Sequence, residues 1–239
     1  MVAVSLVSKL LNHSESNAPI HLIELGPGRG TLMKDVLRTM QSFPRFFSRI
    51  HQCSLIEVSP FLRNIQQESL NVFSKIDFNW HDSVEELSTN EDHIPLFIAQ
   101  EFFDALPVHV FKHTEHGKWK ELVVNYSLRD GYCLTESDSA LTGELRLKDN
   151  FSNWPLGETL ELSPQSWSIC SRIKNILQES KAGGAGIVID YGHFRPSTAS
   201  LRAIYKHQFC GLFEHLGEAD LSVDVDFQSL MHFLGPDSK

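Results

Sequence analysis

The segment Ile20–Leu32, IHLIELGPGRGTL, constrains the fold more than any other stretch of the chain. It opens as a short apolar run, Ile20, Leu22, Ile23 and Leu25, with Glu24 near its end. It breaks into Gly26-Pro27-Gly28-Arg29-Gly30 and restarts as a helix-like segment from Thr31 to Met40. Such a run reads as a buried parallel strand. Closely spaced glycines after it permit φ > 0 and let a ligand approach bare backbone. The helix that follows points its amides and its positive dipole end at the same spot. The arrangement is a nucleotide-type ligand loop on a doubly wound α/β sheet.

The glycine spacing narrows the ligand. The dinucleotide pattern G-x-G-x-x-G is not met. Gly26, Gly28 and Gly30 alternate with other residues, and Glu24 stands two residues ahead, giving E-x-G-x-G-x-G. A pyrophosphate wants the helix amides free of a competing anion. An acid at the strand end instead suits a ligand that carries an ammonium and a sulfonium. This spacing resembles motif I of the class I S-adenosylmethionine methyltransferases. The bland alternative is a tight strand-to-helix turn that binds nothing.

The remaining composition excludes more than it assigns. A chain of 239 residues with a net charge of −9 and no lysine/arginine run is not built to grip a nucleic-acid backbone. The four cysteines, Cys53, Cys133, Cys170 and Cys210, form no C-x-x-C pair, so neither a zinc site nor a disulfide framework is indicated and no metal is expected. Sequons occur at Asn12, Asn125 and Asn150 without a secretory signal beside them. No apolar run reaches membrane-spanning length. Residues 1–11, MVAVSLVSKLL, are too weakly charged for a targeting peptide and read as a helix beside the first strand. With no repeat and no low-complexity linker, the expectation is a single domain over 1–239.

Taken in order, the chain alternates strands and helices. Cys53-Ser54-Leu55-Ile56-Glu57 is a second strand ending in an acid. In doubly wound folds that acid sits beside the ligand ribose, so Glu57 is the candidate for its hydroxyls. Its alternative is a charge at the N-terminus of the helix after Pro60. A helix over Phe61 to Phe73 and a third strand over Ile76 to Trp80 follow, then His81-Asp82-Ser83. Asp82 can accept from an adenine amino group while Ser83 offers backbone contacts, and the pair is equally a helix N-cap. The fourth strand, Ile94 to Ala99, runs into Gln100-Glu101-Phe102-Phe103-Asp104-Ala105-Leu106-Pro107 at the topological switch point, where open α/β sheets bind ligands. On one helical turn, Glu101 and Asp104 would face one pocket.

From Val108 to about Glu161 the period becomes that of antiparallel hairpins. Val110, Trp119, Leu122, Val124, Tyr126, Tyr132 and Leu134 alternate with polar residues, and Gly117 and Gly131 sit at turns. His113 and His116 read as solvated loop histidines. A helix from about Gln165 to Glu179 leads to a fifth strand, Ile187 to His193, in which Asp190 points to the ligand edge. Leu201–Tyr205 and Gly217–Phe227 read as ordered loops. A methyltransferase sheet has two further strands after the fifth, and the remaining sequence has no room for both.

Six blocks, ELGPGRGTL, LIEVSP, WHDS, AQEFFDALPV, IDYGH and ADLSVDVDF, occur here in one order. Together they resemble the MidA-like methyltransferases, whose mitochondrial members are arginine methyltransferases of complex I assembly. The resemblance runs from about Ile20 to Phe227. Family members have a further N-terminal region and continue beyond the V-D-F block, so the chain reads as a shortened member. The resemblance implies a Rossmann-like class I sheet with an antiparallel β insertion at about 108–161, short of its last strands. It implies S-adenosyl-L-methionine as cofactor, held by Glu24, Gly26, Gly28, Gly30, Glu57, Asp82, Ser83 and Gln100. It implies methyl transfer to an arginine nitrogen of a complex I core subunit, to symmetric dimethylarginine, in the mitochondrial matrix.

Chemistry explains the acids. Sulfonium and guanidinium are both cations, and bringing them within ~4 Å costs about 4 kcal/mol at an effective dielectric near 20. Fixed carboxylates offset the repulsion and hold the guanidinium planar and aimed. Glu101 and Asp104 are the candidates, with Glu161 and Asp190 behind them. The competing reading is a structural network of acids with partners such as Arg202. Two other functions are weighed against the enzyme: a non-catalytic assembly or binding protein on the same fold, and an NAD-linked oxidoreductase, which the glycine spacing and Glu24 disfavour.

Overall fold

The computed structural model describes residues 17–88, 90–114, 118–129, 131–139, 141–147 and 151–235. In chain order it begins with β1 (Ile20–Leu25), α1 (Thr31–Met40), α2 (Pro44–Phe47), β2 (Ile50–Ile56), α3 (Pro60–Leu70), β3 (Asp77–His81) and β4 (Ile94–Gln100). A β-rich stretch follows: β5 (His109–His113), β6 (Trp119–Ser127), β7 (Gly131–Ser137), α4 (Leu141–Glu144) and β8 (Thr159–Leu162). Then come α5 (Pro164–Glu179), β9 (Ala185–Ile189), β10 (Gly192–His193), β11 (Arg202–Tyr205), β12 (Gln208–Cys210), β13 (Asp220–Ser222), β14 (Val225–Asp226) and α6 (Phe227–Leu234). The helix expected over 1–11, and His116 and Gly117, lie outside the described residues.

The chain divides into two compact units. The first runs to Phe103 and takes in Ser168–Asp190 and the end of α6 from Phe233. It contains a five-stranded parallel sheet in the order β3-β2-β1-β4-β9. β1 is central and buried at all its positions, which explains its near-continuous apolar sequence. On one face, Ile20 and Leu22 join Met33, Val36, Leu37 and Met40 of α1 and Leu55 of β2 in the main core. Phe46 and Phe47 also join it, so the aromatics after Pro44 are core. The two polar residues of β1 are buried as well. His21 meets Ser54 Oγ through Nε2 at 2.8 Å, and burial first, then His93 and His81, holds its pKa down at about 4.

The second unit spans Asp104–Trp167 and Tyr191–His232. Its larger sheet is antiparallel in the order β7-β6-β5-β8, the expected insertion after the fourth strand. Phe111, Trp119, Leu147, Leu160 and Leu162 form its core. His113 is not a solvated loop residue, because it lies in β5, stacks on Trp119 and bonds to Trp154 O through Nδ1 at 2.8 Å. The alternating apolar face does not continue into this core either. Beyond Leu122, the cross-strand pairs Val124–Leu134 and Tyr126–Tyr132 are exposed.

Two expectations for the C-terminal part need correction. The fifth strand stops at Ile189, and Gly192–His193 pair instead with Val225–Asp226. A Cβ at Gly192 would meet Val225 O at 2.1 Å, so only glycine admits that approach. The segments read as loops hold β11 and β13, which with the intervening β12 form the sheet β12-β11-β13, and α6 follows. Ser229 N donates to Asp226 Oδ1 at 3.0 Å at the start of α6.

Replacing Leu37, which is fully buried against β1, by alanine is expected to lower unfolding stability by about 2–5 kcal/mol. Val124→Ser, at a side chain 62 % exposed, should change it by less than about 0.5 kcal/mol. Thermal unfolding of the two variants beside the parent checks the contrast.

Candidate functional site

The strands of the parallel sheet finish together. Leu25 is registered with Ile56 and Ala99, Ile56 with His81, and Gln100 with Ile189. The first residues beyond the five strands are therefore Gly26, Glu57, Asp82, Glu101 and Asp190, and they emerge along one edge. The strand order reverses between β1 and β4, so this edge includes the switch point where such sheets bind ligands. Four carboxylates and one glycine loop stand along that edge, a setting suited to a cation.

The three loop glycines are glycine for different reasons. All have left-handed backbones, with φ of 62°, 53° and 74° at Gly26, Gly28 and Gly30. A Cβ on Gly26 would lie 2.9 Å from the Phe102 ring, and one on Gly30 would lie 3.2 Å from Cγ of Gln66. A Cβ on Gly28 would meet nothing within 4 Å. Gly28 is thus the bare backbone that faces open space.

Glu24 lies under this loop, buried within β1. The N-cap of α1 is Gly30, which offers no side-chain oxygen, and the Met33 amide in the first turn lies toward the Glu24 carboxyl and favours its ionised form. Oε2 of Glu24 is buried and has no hydrogen-bond partner among the described residues. Burial pushes the Glu24 pKa up to about 8, against the opposing pull of the Met33 amide. A buried carboxyl at the helix start, with an oxygen unsatisfied, leaves poor room for a phosphate and suits a cationic group.

Glu57 is fixed on both sides. Ser59 N donates to Oε1 at 2.8 Å, and Gln66 Nε2 donates to Oε2 at 3.3 Å. Gln66, fully buried on α3, also donates to Gly28 O at 2.7 Å and accepts from Trp80 Nε1 at 2.7 Å. Arg63, one turn earlier on α3, donates from Nε to Glu57 O at 2.6 Å and from Nη2 to Asp82 Oδ1 at 2.5 Å. The helix starts where expected because Ser59 Oγ accepts from Leu62 N and Pro60 occupies the first turn. Asp82 and Ser83 do not cap by side chain. Ser83 precedes the short 3₁₀ turn Val84–Glu86 without such a bond, and Glu86 Oε2 reaches back to Asp82 N at 3.0 Å.

Glu101 and Asp104 do not share a helical turn, because Gln100 ends β4 and no helix follows it. Glu101 is exposed and left-handed, with φ of 47°, a conformation that costs a non-glycine residue about 1–2 kcal/mol. Its amide bonds to Ile189 O at 2.9 Å, and Gln100 beside it is exposed. Asp190 points its Oδ2 at the loop backbone, accepting from Phe102 N at 3.2 Å and Phe103 N at 3.0 Å. The other two acids belong to the second unit. Asp104 Oδ2 accepts from Ser222 Oγ at 3.1 Å. Glu161 is buried and accepts from Ser200 N at 2.9 Å, Leu201 N at 3.0 Å and Ser200 Oγ. Arg202 pairs with Asp224 at 2.6 Å.

The structure thus brings Glu24, the three glycines, Glu57, Asp82, Ser83, Gln100 and Glu101 to one sheet edge, and holds Asp104 and Glu161 in another unit. Gln66, Arg63 and Trp80 were not singled out from sequence. The available signal was two polar residues three apart on the helix after Glu57, a spacing that puts them on one face. Among the described residues, no group of His, Cys, Asp and Glu could hold a metal ion, and no helix is long and apolar enough to cross a membrane.

Comparison with known proteins gives a consistent picture. A family model described as "Putative S-adenosyl-L-methionine-dependent methyltransferase" matches residues 1–238. The mitochondrial protein arginine methyltransferase NDUFAF7 homolog of Drosophila melanogaster is 31% identical over 259 residues, covering 97% of this chain and 56% of that protein. The NDUFAF7 arginine methyltransferase of Danio rerio, also mitochondrial, is 31% identical over 98% of this chain and 58% of its own length. The chain therefore spans a little over half the length of these relatives. A crystal structure from Burkholderia thailandensis, bound to S-adenosyl-homocysteine, superposes with a TM-score of 0.75 at 20% identity over 98% of this chain and 58% of that one.

The raised pKa of Glu24 has a stability consequence. The unfolded chain releases this proton near 4.5 and the folded chain near 8, so stability is full below about 4.5 and falls as pH rises through about 8. Glu24→Gln removes this loss. The melting temperature of the variant at pH 8 should exceed that of the parent by about 5 °C, and the difference should vanish near pH 4.5. Melting curves of both proteins across pH 4.5–8.5 decide it.

Proposed function

Because the chain belongs to the S-adenosyl-L-methionine-dependent methyltransferase family, we propose that it binds this cofactor at the carboxyl edge of its parallel sheet and methylates an arginine of a protein. The observation that carries the reading is the buried Glu24 carboxyl, whose Oε2 has no hydrogen-bond partner among the described residues, beside the glycine loop. Bound there, the cofactor supplies a methyl group activated by a sulfonium. The residues present fit it. Glu24 offers a buried carboxyl that a cation beside it would favour in its ionised form, Gly28 gives close backbone approach, and Glu57 keeps acceptor capacity for two ribose hydroxyls. Asp82 and Ser83 serve the adenine end, and Gln100 lines the same edge.

The target guanidinium falls to Glu101. It is an exposed acid at the end of β4, held in a left-handed conformation that only its surroundings sustain. A carboxylate there orients the guanidinium and offsets its repulsion from a second cation. Asp104 is bonded to Ser222, and Glu161 to the Ser200–Leu201 backbone, both within the second unit. The names of the relatives support arginine as the acceptor and the mitochondrion as the location. As specific target we propose a core subunit of respiratory complex I.

Calorimetric titration with S-adenosyl-L-methionine tests the reading. Binding is expected in the micromolar range. Glu57→Ala should weaken it about tenfold through lost charge-assisted hydrogen bonds. Gly28→Val should abolish it, because a β-branched residue cannot adopt φ of 53° without strain and fills the open space. Glu101→Gln should keep cofactor affinity and lose methylation of an arginine peptide by at least about 100-fold. A folded parent chain that takes up no cofactor would refute the proposal.

A further inference from the structure

We propose that Gln66 is a positioning residue for ribose recognition: it aims the Glu57 carboxylate and, with the same amide, fixes the carbonyl of Gly28. The inference rests on the cofactor reading above and extends it to a side chain outside the strand-end set. Its basis is a fully buried amide whose three polar contacts admit one orientation.

The indole N–H of Trp80 can only donate, so the atom it meets at 2.7 Å must be the carbonyl oxygen of Gln66. The Gly28 carbonyl can only accept, so the group 2.7 Å from it must be the NH₂. The same NH₂ meets Glu57 Oε2. The usual ambiguity between the two ends of a glutamine side chain is thereby removed. Gln66 also fills the space a side chain on Gly30 would need, so its position is set by packing as well as by hydrogen bonds.

The effect on Glu57 follows from counting acceptors. An ionised carboxylate has about four lone-pair sites. Ser59 N occupies one on Oε1 and Gln66 Nε2 one on Oε2, which leaves one site on each oxygen. Two vicinal hydroxyls need two such sites side by side. Without Gln66, Glu57 is held through Oε1 alone and its carboxylate plane is free to turn. The NH₂ bond to Gly28 links the same amide to the loop residue that faces open space.

The test compares S-adenosylhomocysteine with its 2′,3′-dideoxy analogue in calorimetric titrations of the full chain. The parent should prefer the ribose form by about tenfold or more. In Gln66→Met, which keeps the volume and removes the amide, the preference should fall to within about threefold, and adding Glu57→Ala should not reduce it further. Trp80→Phe, which frees the amide to turn, should reduce the preference in the same direction. A Gln66→Met protein that loses affinity for both ligands equally and keeps the parent preference has a merely structural glutamine, and the proposal falls. If Gln66→Met does not fold, Trp80→Phe decides: an unchanged preference overturns the proposal. A folded parent that binds neither ligand overturns the cofactor reading, and the role of Gln66 with it.

Discussion

One carboxyl buried in the central strand organises the first unit. Glu24 stands among apolar residues, where an unpaired charge costs far more than at the surface. The Met33 amide in the first turn of α1 lies toward the Glu24 carboxyl, at the place where a helix needs an acceptor and where Gly30 supplies none. The strand thus sets an acid against the start of the helix that follows it, across a loop whose three left-handed glycines make the tight return possible. The consequence for ligand choice is direct. The amides that would cradle a phosphate in a dinucleotide fold already have a competitor, so the loop is left to present bare backbone beside an acid.

Around this centre the sheet edge repeats one device. Each strand after the first is followed at once by an acid, and each acid is handled differently. Glu57 is clamped from two directions, Asp82 is paired through Oδ1 with Arg63, Asp190 ties down the backbone of the loop after β4, and Glu101 is left to solvent. Parallel strands in register put chemically alike residues in a row. The helices and loops behind them then differentiate the row into a doubly held carboxylate, an ion-paired acid, a structural tie and an exposed acid.

Much of this was legible in the sequence because it depends on local pattern. β1, α1 and the glycine loop follow from an apolar run, alternate glycines and a helix-like segment. Glu57 follows from strand length alone. What could not be read depends on contacts made at a distance. Gln66 looks like any polar helix residue until Gly28, Glu57 and Trp80 converge on it. The hairpin of β11 and β12 turns through Lys206 and His207, both with positive φ, without the asparagine or glycine that usually marks such a turn. The strand Gly192–His193 was hidden because its partner, Val225–Asp226, lies more than thirty residues away. Glu101 and Asp104 looked like a helical pair because spacing cannot show that the backbone leaves the helical region at Glu101.

The fit of Phe102 against Gly26 carries a consequence for how such a sequence can change over time. The ring lies where the first side-chain atom of any other residue at position 26 would stand, and Asp190 holds the backbone on which the ring is mounted. The two positions therefore cannot drift independently. A larger residue at 26 is admissible only after the ring at 102 has shrunk or the tie to Asp190 has been released, and releasing that tie also loosens Phe103, which is buried in the core. Aligned relatives should show this as coupled variation among three positions that are distant in sequence and belong to the ends of three different strands.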